Sequence, residues 1–152
     1  MTTTIFTAAH QRGSALPYAG AVTATEAFQL LKADHAILLI DVRTKAEHDW
    51  VGQPAIPPAQ YRLIQWNYYP THSNPDFLAE LHQATADSGK KSILLFLCRS
   101  GVRSRAAAQF ATEQGYTHCY DILAGFEGDK NSASHRKTVN GWCFDELPWN
   151  GA

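Results

Sequence analysis

The sequence predicts an α/β fold in which a mostly parallel central sheet carries helices on both faces. Two runs, residues 36–40 and 93–97, are apolar at every position, which is typical of strands buried on both faces. Segments with the apolar spacing of helices separate such runs, so strand and helix alternate along the chain. This alternation favours parallel strands joined by crossover helices.

Two of the predicted helices begin at capping boxes, in which a Thr is followed three residues later by a Glu. Thr23 with Glu26 predicts a helix that ends near residue 33, and Thr44 with Glu47 predicts a short helix that ends before Gly52. A third helix is expected after Asn74 as its N-cap, and a fourth over residues 106–114.

The composition excludes several classes of function. The chain has 152 residues and a net charge of -1, which predicts no nucleic-acid or membrane-surface partner. Three cysteines at irregular spacing predict neither a disulfide framework nor a metal site, and no motif indicates a cofactor. The first residues lack a signal-peptide pattern and no apolar run is long enough to span a membrane, so we expect a cytoplasmic protein.

The segment after the apolar run 93–97 contains the features of a reactive site. Cys98 stands where the strand would end, and ligands of open parallel sheets bind outside the carboxyl ends of the strands. The short loop after it includes Gly101 and leads into a helix. Its N–H groups can therefore converge on one point at the positive end of the helix dipole.

The charges around this cysteine are all of one sign. No Asp or Glu occurs in residues 88–112, whereas five cations do: Lys90, Lys91, Arg99, Arg103 and Arg105. These cations are expected to favour the thiolate of Cys98 and to attract small anions. A buried structural cysteine is the alternative, but the glycine and the arginines that follow favour a reactive thiol.

Residues 98–103, Cys-Arg-Ser-Gly-Val-Arg, resemble the six-residue active-site loop of rhodanese-family sulfurtransferases. Other segments agree in the same order: the Asp-Val-Arg strand end within 38–47, the glycine turn 125–128, and the C-terminal closure at 141–142 and 147–149. The resemblance covers about residues 23–149. It implies a rhodanese-like three-layer fold with a five-stranded sheet, which would form a domain over residues 20–152 after an irregular N-terminal arm, residues 1–19.

The resemblance implies a thiosulfate sulfurtransferase that carries a sulfane sulfur as a persulfide on the catalytic Cys98. The donor would be thiosulfate or a similar small sulfur-containing anion, and the acceptor cyanide or a thiol. The predicted substrate-binding residues are those of the loop: Arg99, Ser100, Gly101, Val102 and Arg103. Their N–H groups would hold the terminal sulfur, and the two guanidiniums would bind the sulfonate of the donor.

Asp41 and Arg43 lie beside another strand end and are expected to support the loops structurally rather than to react. Residues 126–140 form a polar segment longer than the compact family pattern has. A loop of this length is either disordered or functional. We expect it beside Cys98, where His135, Arg136 and Lys137 would add cations, although a solvated surface excursion remains open.

Two other functions remain open. A cysteine phosphatase or arsenate reductase would need an Arg six residues after the cysteine, where this chain has Ser104, and the smaller ring should exclude a tetrahedral phosphate. A sulfur-relay or persulfide-binding module would use the same cysteine but depend on a protein that donates or accepts the sulfur.

Overall fold

The computed structural model describes residues 2–151. The strands are β1 (Gly20–Val22), β2 (Leu38–Asp41), β3 (Gln53–Pro54), β4 (Tyr61–Leu63), β5 (Asn67–Tyr68), β6 (His72–Ser73), β7 (Ile93–Leu97), β8 (His118–Ile122) and β9 (Trp149–Asn150). The helices are α1 (Thr2–Arg12), α2 (Ala24–Ala33), α3 (Lys45–Trp50), α4 (Phe77–Ala84) and α5 (Val102–Glu113), with 3-10 turns at Pro58–Gln60 and Gly89–Lys91.

The central sheet has five strands in the order β1-β8-β7-β2-β4, and every pair in it is parallel. The prediction of a mostly parallel five-stranded sheet is therefore confirmed. The strand β7 lies in the middle, so the residue that follows it opens onto the centre of the sheet's carboxyl edge. The short antiparallel pairs β3-β9 and β5-β6 lie outside this sheet.

Two hydrophobic clusters cover the two faces of the sheet. Alternate residues of β7 divide between them: Leu95 and Leu97 face the cluster that contains α1, α2 and the buried Trp142. Leu94 and Phe96 face the cluster formed with α4 and α5. This alternation gives three layers, because successive side chains of a strand point to opposite faces.

The predicted irregular arm over residues 1–19 is wrong for residues 2–12, which form α1. Ile5 and Ala9, four residues apart, are buried on one side of this helix, and the ring of Phe6 lies 5.3 Å from that of Tyr120. The weak apolar periodicity of the segment did not indicate a helix, so its contacts with β1 and α2 stabilise it in the fold. Met1 lies outside the described residues.

The helix starts show which local signals were reliable. Both predicted capping boxes form, at Thr23 of α2 and Thr44 of α3. The predicted N-cap at Asn74 is wrong, because α4 has Asp76 at its N-cap. Oδ1 of Asn74 accepts the N–H of Asp76 at 2.9 Å in the turn before the helix. Within residues 2–151, no helix combines the length and the apolarity needed to cross a membrane.

Helix α5 begins four residues earlier than predicted, at Val102 instead of residue 106. Its N-cap is Gly101, whose φ of 116° lies in the left-handed region that glycine enters without strain. The loop after Cys98 is therefore short. Arg103 and Ser104 belong to the first turn of the helix, and this turn directs them toward opposite sides of the loop.

Candidate active site

Cys98 follows the last residue of β7, and its sulfur contacts the N-cap residue of α5. Its sulfur accepts the N–H of Gly101 at 3.0 Å, and the residue is only 1% exposed. Ser100 is partly buried, while Arg99 and Val102 are exposed. Among the loop residues predicted to bind the donor, Gly101 is the one whose backbone N–H reaches the Cys98 sulfur within the described residues.

A buried hydroxyl and a buried carboxylate, of Ser104 and Asp121, form a hydrogen-bonded chain from the Cys98 sulfur. The thiol of Cys98 donates to Oγ of Ser104 at 3.3 Å, and the Ser104 hydroxyl donates to Oδ1 of Asp121 at 2.5 Å. Both side chains are buried, at 0% and 1% exposure. Burial raises the pKa of Asp121 to about 7, although the Ser104 hydrogen bond and the positive charge of Arg105 act in the opposite direction.

A guanidinium and a carboxylate lie on the other side of the loop. Arg103 donates two hydrogen bonds to Glu47 of α3, at 2.6 and 2.9 Å. Burial alone would raise the pKa of Glu47, but the hydrogen bonds and charge of Arg103, with the capping contacts of Thr44, lower it to about 2. The guanidinium predicted to bind the donor thus already has a carboxylate partner.

The turn after β8 holds the backbone of the loop. Phe126 donates its N–H to the carbonyl of Cys98 at 2.8 Å, and the Glu127 and Gly128 N–H groups donate to the carbonyl of Arg99 at 2.9 and 3.1 Å. Gly125 has φ of 64°, and a Cβ there would overlap the Cys98 carbonyl oxygen and lie 2.7 Å from the carbonyl carbon of Arg99. The glycine turn that carries the family resemblance is thus required by the close approach of two backbones.

Asp41 and Arg43 form a buried ion pair beside the site. The Arg43 guanidinium donates to both carboxylate oxygens of Asp41, at 2.9 and 2.7 Å, and to the carbonyl of Gly52 at 2.8 Å. The hydroxyl of Tyr61 donates to the same carboxylate at 2.6 Å, and the guanidinium lies 4.5 Å from the centre of the Phe126 ring. These contacts join α3 and β4 to the turn after β8, which is consistent with structural support.

A cleft of about 1000 Å³ opens beside the loop, between α3 and the segment 126–140. Arg99 and Arg103 line it together with Lys130, His135 and Arg136 of that segment. The expected place of the segment beside the loop is confirmed for these residues. Lys137 differs, because its ammonium lies 4.5 Å from the ring centre of Trp149 instead.

The remaining cysteines pack in or against the core, as predicted. Cys119 is buried in β8 and Cys143 packs against the core, and burial raises the pKa of each to about 11. Among residues 2–151, no group of three His, Cys, Asp or Glu side chains is placed to hold a metal ion.

The family model described as STR4 middle domain matches residues 19–151. Rhodanese-like domain-containing protein 4, chloroplastic, of Arabidopsis thaliana is 26% identical over 130 residues, which are 86% of this chain and 25% of that protein. The chain belongs to the rhodanese-like family. The uncharacterized protein RP600 homolog of Rickettsia rickettsii matches this rhodanese-like protein at 35% identity over 129 residues, covering 84% of the chain and 94% of the relative.

Two solved structures share the rhodanese-like fold. The crystal structure of Rv0390 from M. tuberculosis has a TM-score of 0.77 and 37% identity, and the match covers 89% of this chain and 99% of that one. The polysulfide-sulfur transferase homodimer of Wolinella succinogenes has a TM-score of 0.63 over 99% of this chain and 89% of that one. At 17% identity it shows the fold alone. This fold supports sulfur transfer in general.

Three side chains of the site were not predicted from the sequence. Glu47 was identified only as part of a capping box, and Ser104 only as the position where phosphatases have an arginine. Asp121 was not singled out. The available signal for Asp121 was its position near the end of a buried strand. A carboxylate buried there needs a nearby partner.

Proposed function

We propose that this protein transfers a sulfane sulfur from a small anionic donor to a nucleophilic acceptor through a persulfide on Cys98. The observation that carries the proposal is the Gly101 N–H, which donates to the Cys98 sulfur at 3.0 Å at the N-terminus of α5. An amide and a helix dipole directed at sulfur stabilise negative charge there, whether the charge is on the thiolate or on a bound sulfur.

The reaction has two displacement steps at sulfur. The Cys98 thiolate attacks the outer sulfur of thiosulfate, a new S–S bond forms, and sulfite leaves with the electron pair of the old S–S bond. Cyanide or a thiolate then attacks the terminal sulfur of the persulfide and takes it as thiocyanate or as a new persulfide. The electron pair returns to Cys98, which becomes a thiolate again.

Arg99 is the guanidinium best placed to meet the sulfonate of the donor. It is exposed and lines the cleft, whereas Arg103 is occupied by Glu47. Arg103 and the N–H groups of Ser100 and Val102 remain predicted contacts of the bound donor. Because Cys98 is only 1% exposed, the loop residues that cover its sulfur have to move before a donor can reach it.

The decisive experiment follows sulfur on Cys98 by mass spectrometry. Thiosulfate should add one sulfur atom to Cys98, and cyanide should remove it and yield thiocyanate. A Cys98→Ser protein should form thiocyanate only at the uncatalysed rate, whereas Cys143→Ser, the matched control, should retain full activity. Undiminished thiocyanate formation by Cys98→Ser would refute the assignment.

A second candidate, a sulfur relay with a protein partner, is favoured by the size and lining of the cleft. About 1000 Å³ far exceeds the volume of thiosulfate, and exposed rings of Trp50 and Tyr69 line the cleft together with its cations. Such surfaces suit a protein segment better than a small anion. A persulfide on Cys98 that forms from a persulfidated carrier protein but not from thiosulfate would establish the relay.

A further inference from the structure

We propose that Ser104 and Asp121 form a buried proton relay that removes the thiol proton of Cys98 and later returns it. The proposal rests on the sulfur-transfer function given above, because it supplies the thiolate that the first displacement needs. Ser104 contacts the reacting sulfur and is a catalytic residue in this scheme. Asp121 acts through Ser104 and is a positioning and proton-holding residue.

The geometry gives the relay a direction. The thiol donates to Oγ of Ser104 at 3.3 Å, and the Ser104 hydroxyl donates to Oδ1 of Asp121 at 2.5 Å, so each proton already points toward Asp121. All three side chains are at most 1% exposed, and bulk water is therefore excluded from both hydrogen bonds. The three residues come from three elements, since Cys98 follows β7, Ser104 belongs to α5 and Asp121 to β8.

The proton transfer balances without any further reactant. The S–H bond of Cys98 breaks as its proton moves to Oγ of Ser104, while the hydroxyl proton of Ser104 moves to Oδ1 of Asp121. The products are a thiolate, an intact serine hydroxyl and a neutral carboxylic acid. The negative charge has moved from Asp121 to the sulfur, where the Gly101 N–H and the Ser104 hydroxyl stabilise it.

The surroundings of Asp121 suit a group that exchanges a proton near neutral pH. Burial raises its pKa to about 7, close enough to that of a thiol for transfer in both directions. The charged and titratable groups that face it are Arg105 on α5, Tyr18 before β1, and Cys98 through Ser104. Asp41, the other buried aspartate of the sheet, differs because Arg43 holds it in an ion pair.

The test is the pH dependence of Cys98 alkylation by iodoacetamide, followed on the Cys98 peptide by mass spectrometry. The wild-type rate should rise as Asp121 ionises, near pH 7. Asp121→Asn keeps the size and hydrogen-bonding capacity of the side chain but cannot accept the proton, and it should lower the rate roughly tenfold at about pH 7.5, where the wild-type carboxylate is ionised. At about pH 10 the two rates should converge, because hydroxide then removes the thiol proton directly.

Ser104→Ala should shift the pH profile of alkylation in the same way, because it removes the hydroxyl that links Cys98 to Asp121. It tests the relay even if Asp121→Asn does not fold. Ser104→Thr keeps a hydroxyl and should restore the wild-type profile. Asp145→Asn, a carboxylate that contacts Thr25 instead of the relay, is the matched control and should leave the profile unchanged. A merely structural role would change rates equally at all pH values and would not shift the midpoint.

The two proposals fail in different ways. If wild type acquires a persulfide from thiosulfate while Asp121→Asn and Ser104→Ala alkylate with the wild-type profile, the relay is wrong and sulfur transfer stands. If both variants shift the profile but wild type takes no sulfur from thiosulfate, the relay stands and the proposed donor is wrong.

Discussion

Glu47 and Asp121 lie on the two sides of the loop after Cys98, and their chemistry differs because their partners differ. Glu47 is partly buried and receives two hydrogen bonds from the Arg103 guanidinium, so its pKa falls to about 2. Burial raises the pKa of Asp121 to about 7, because the one hydrogen bond from the Ser104 hydroxyl only partly offsets the loss of hydration. Both partners are in the first turn of α5.

The comparison shows that burial alone does not decide the charge of a carboxylate. A guanidinium compensates the lost hydration of the anion with a full charge, whereas a hydroxyl offers only a dipole. Glu47 therefore remains ionised throughout the physiological range and holds α3 against α5. Asp121 changes its charge near neutral pH. Of the two carboxylates, Asp121 is therefore the one that can accept and release a proton there.

The largest expected effect concerns the pH dependence of stability at Asp121. Its raised pKa means that the folded state keeps a proton which the unfolded chain releases above about pH 4, so this contribution to stability is complete below pH 4 and is lost as the pH rises to about 7. Relative to wild type, Asp121→Asn should gain on the order of 3 kcal/mol between about pH 4 and pH 8. Urea unfolding at both pH values measures the difference, and parallel curves for the two proteins would contradict it.

Glu47 should show a smaller effect in the opposite direction. Its lowered pKa adds stability above about pH 4, which is lost as the pH falls toward 2. Glu47→Gln keeps a side chain that completes a capping box but removes the charge, and it should cost about 1–2 kcal/mol at pH 7 and little near pH 2. Thermal unfolding across this range measures the loss.

Asp49→Asn, on the same helix α3, is the matched control for Glu47→Gln. Asp49 pairs with Lys45 on the exposed face of the helix, and its substitution should leave the midpoint of thermal unfolding unchanged. An equal effect of the two substitutions would show that general helix electrostatics, and not the pair with Arg103, stabilises the fold.

The smallest expected effect is the response to salt. The pair of Glu47 and Arg103 is about 20% exposed on each side chain, so raising NaCl from about 0.1 M to 1 M should reduce the cost of Glu47→Gln by a few tenths of a kcal/mol. The pH-dependent difference at Asp121 should not change with salt, since that carboxylate is buried. A salt response at Asp121 as large as that at Glu47 would remove the distinction between the two sites.

Local signals in the sequence predicted much of this architecture. The unbroken apolar run of β7 gave the central strand and the place of Cys98, and the two Thr–Glu boxes gave the starts of α2 and α3. The sequence did not predict α1, because residues 2–12 have little amphipathic pattern of their own and fold as a helix through contacts with β1 and α2.

The contacts within the site were less accessible to sequence reasoning. Arg103 was expected to meet the donor, and nothing in residues 98–105 indicates that Glu47, 56 residues away, would take its guanidinium. Asp121 is separated from Ser104 by 17 residues, and the two meet because α5 packs across β7 and β8. Pairings of this kind depend on which side of a helix faces a neighbour, and a start four residues early changes the helical turn to which each residue belongs.

The sequence by itself determined that a cysteine stands at the end of a buried strand, before a glycine and a helix, because apolar runs, caps and turns are local properties of the chain. Only the tertiary structure decided which partner each carboxylate received. That choice depends on how α3, α5 and β8 come together, and it separates a carboxylate with a pKa of about 2 from one with a pKa of about 7.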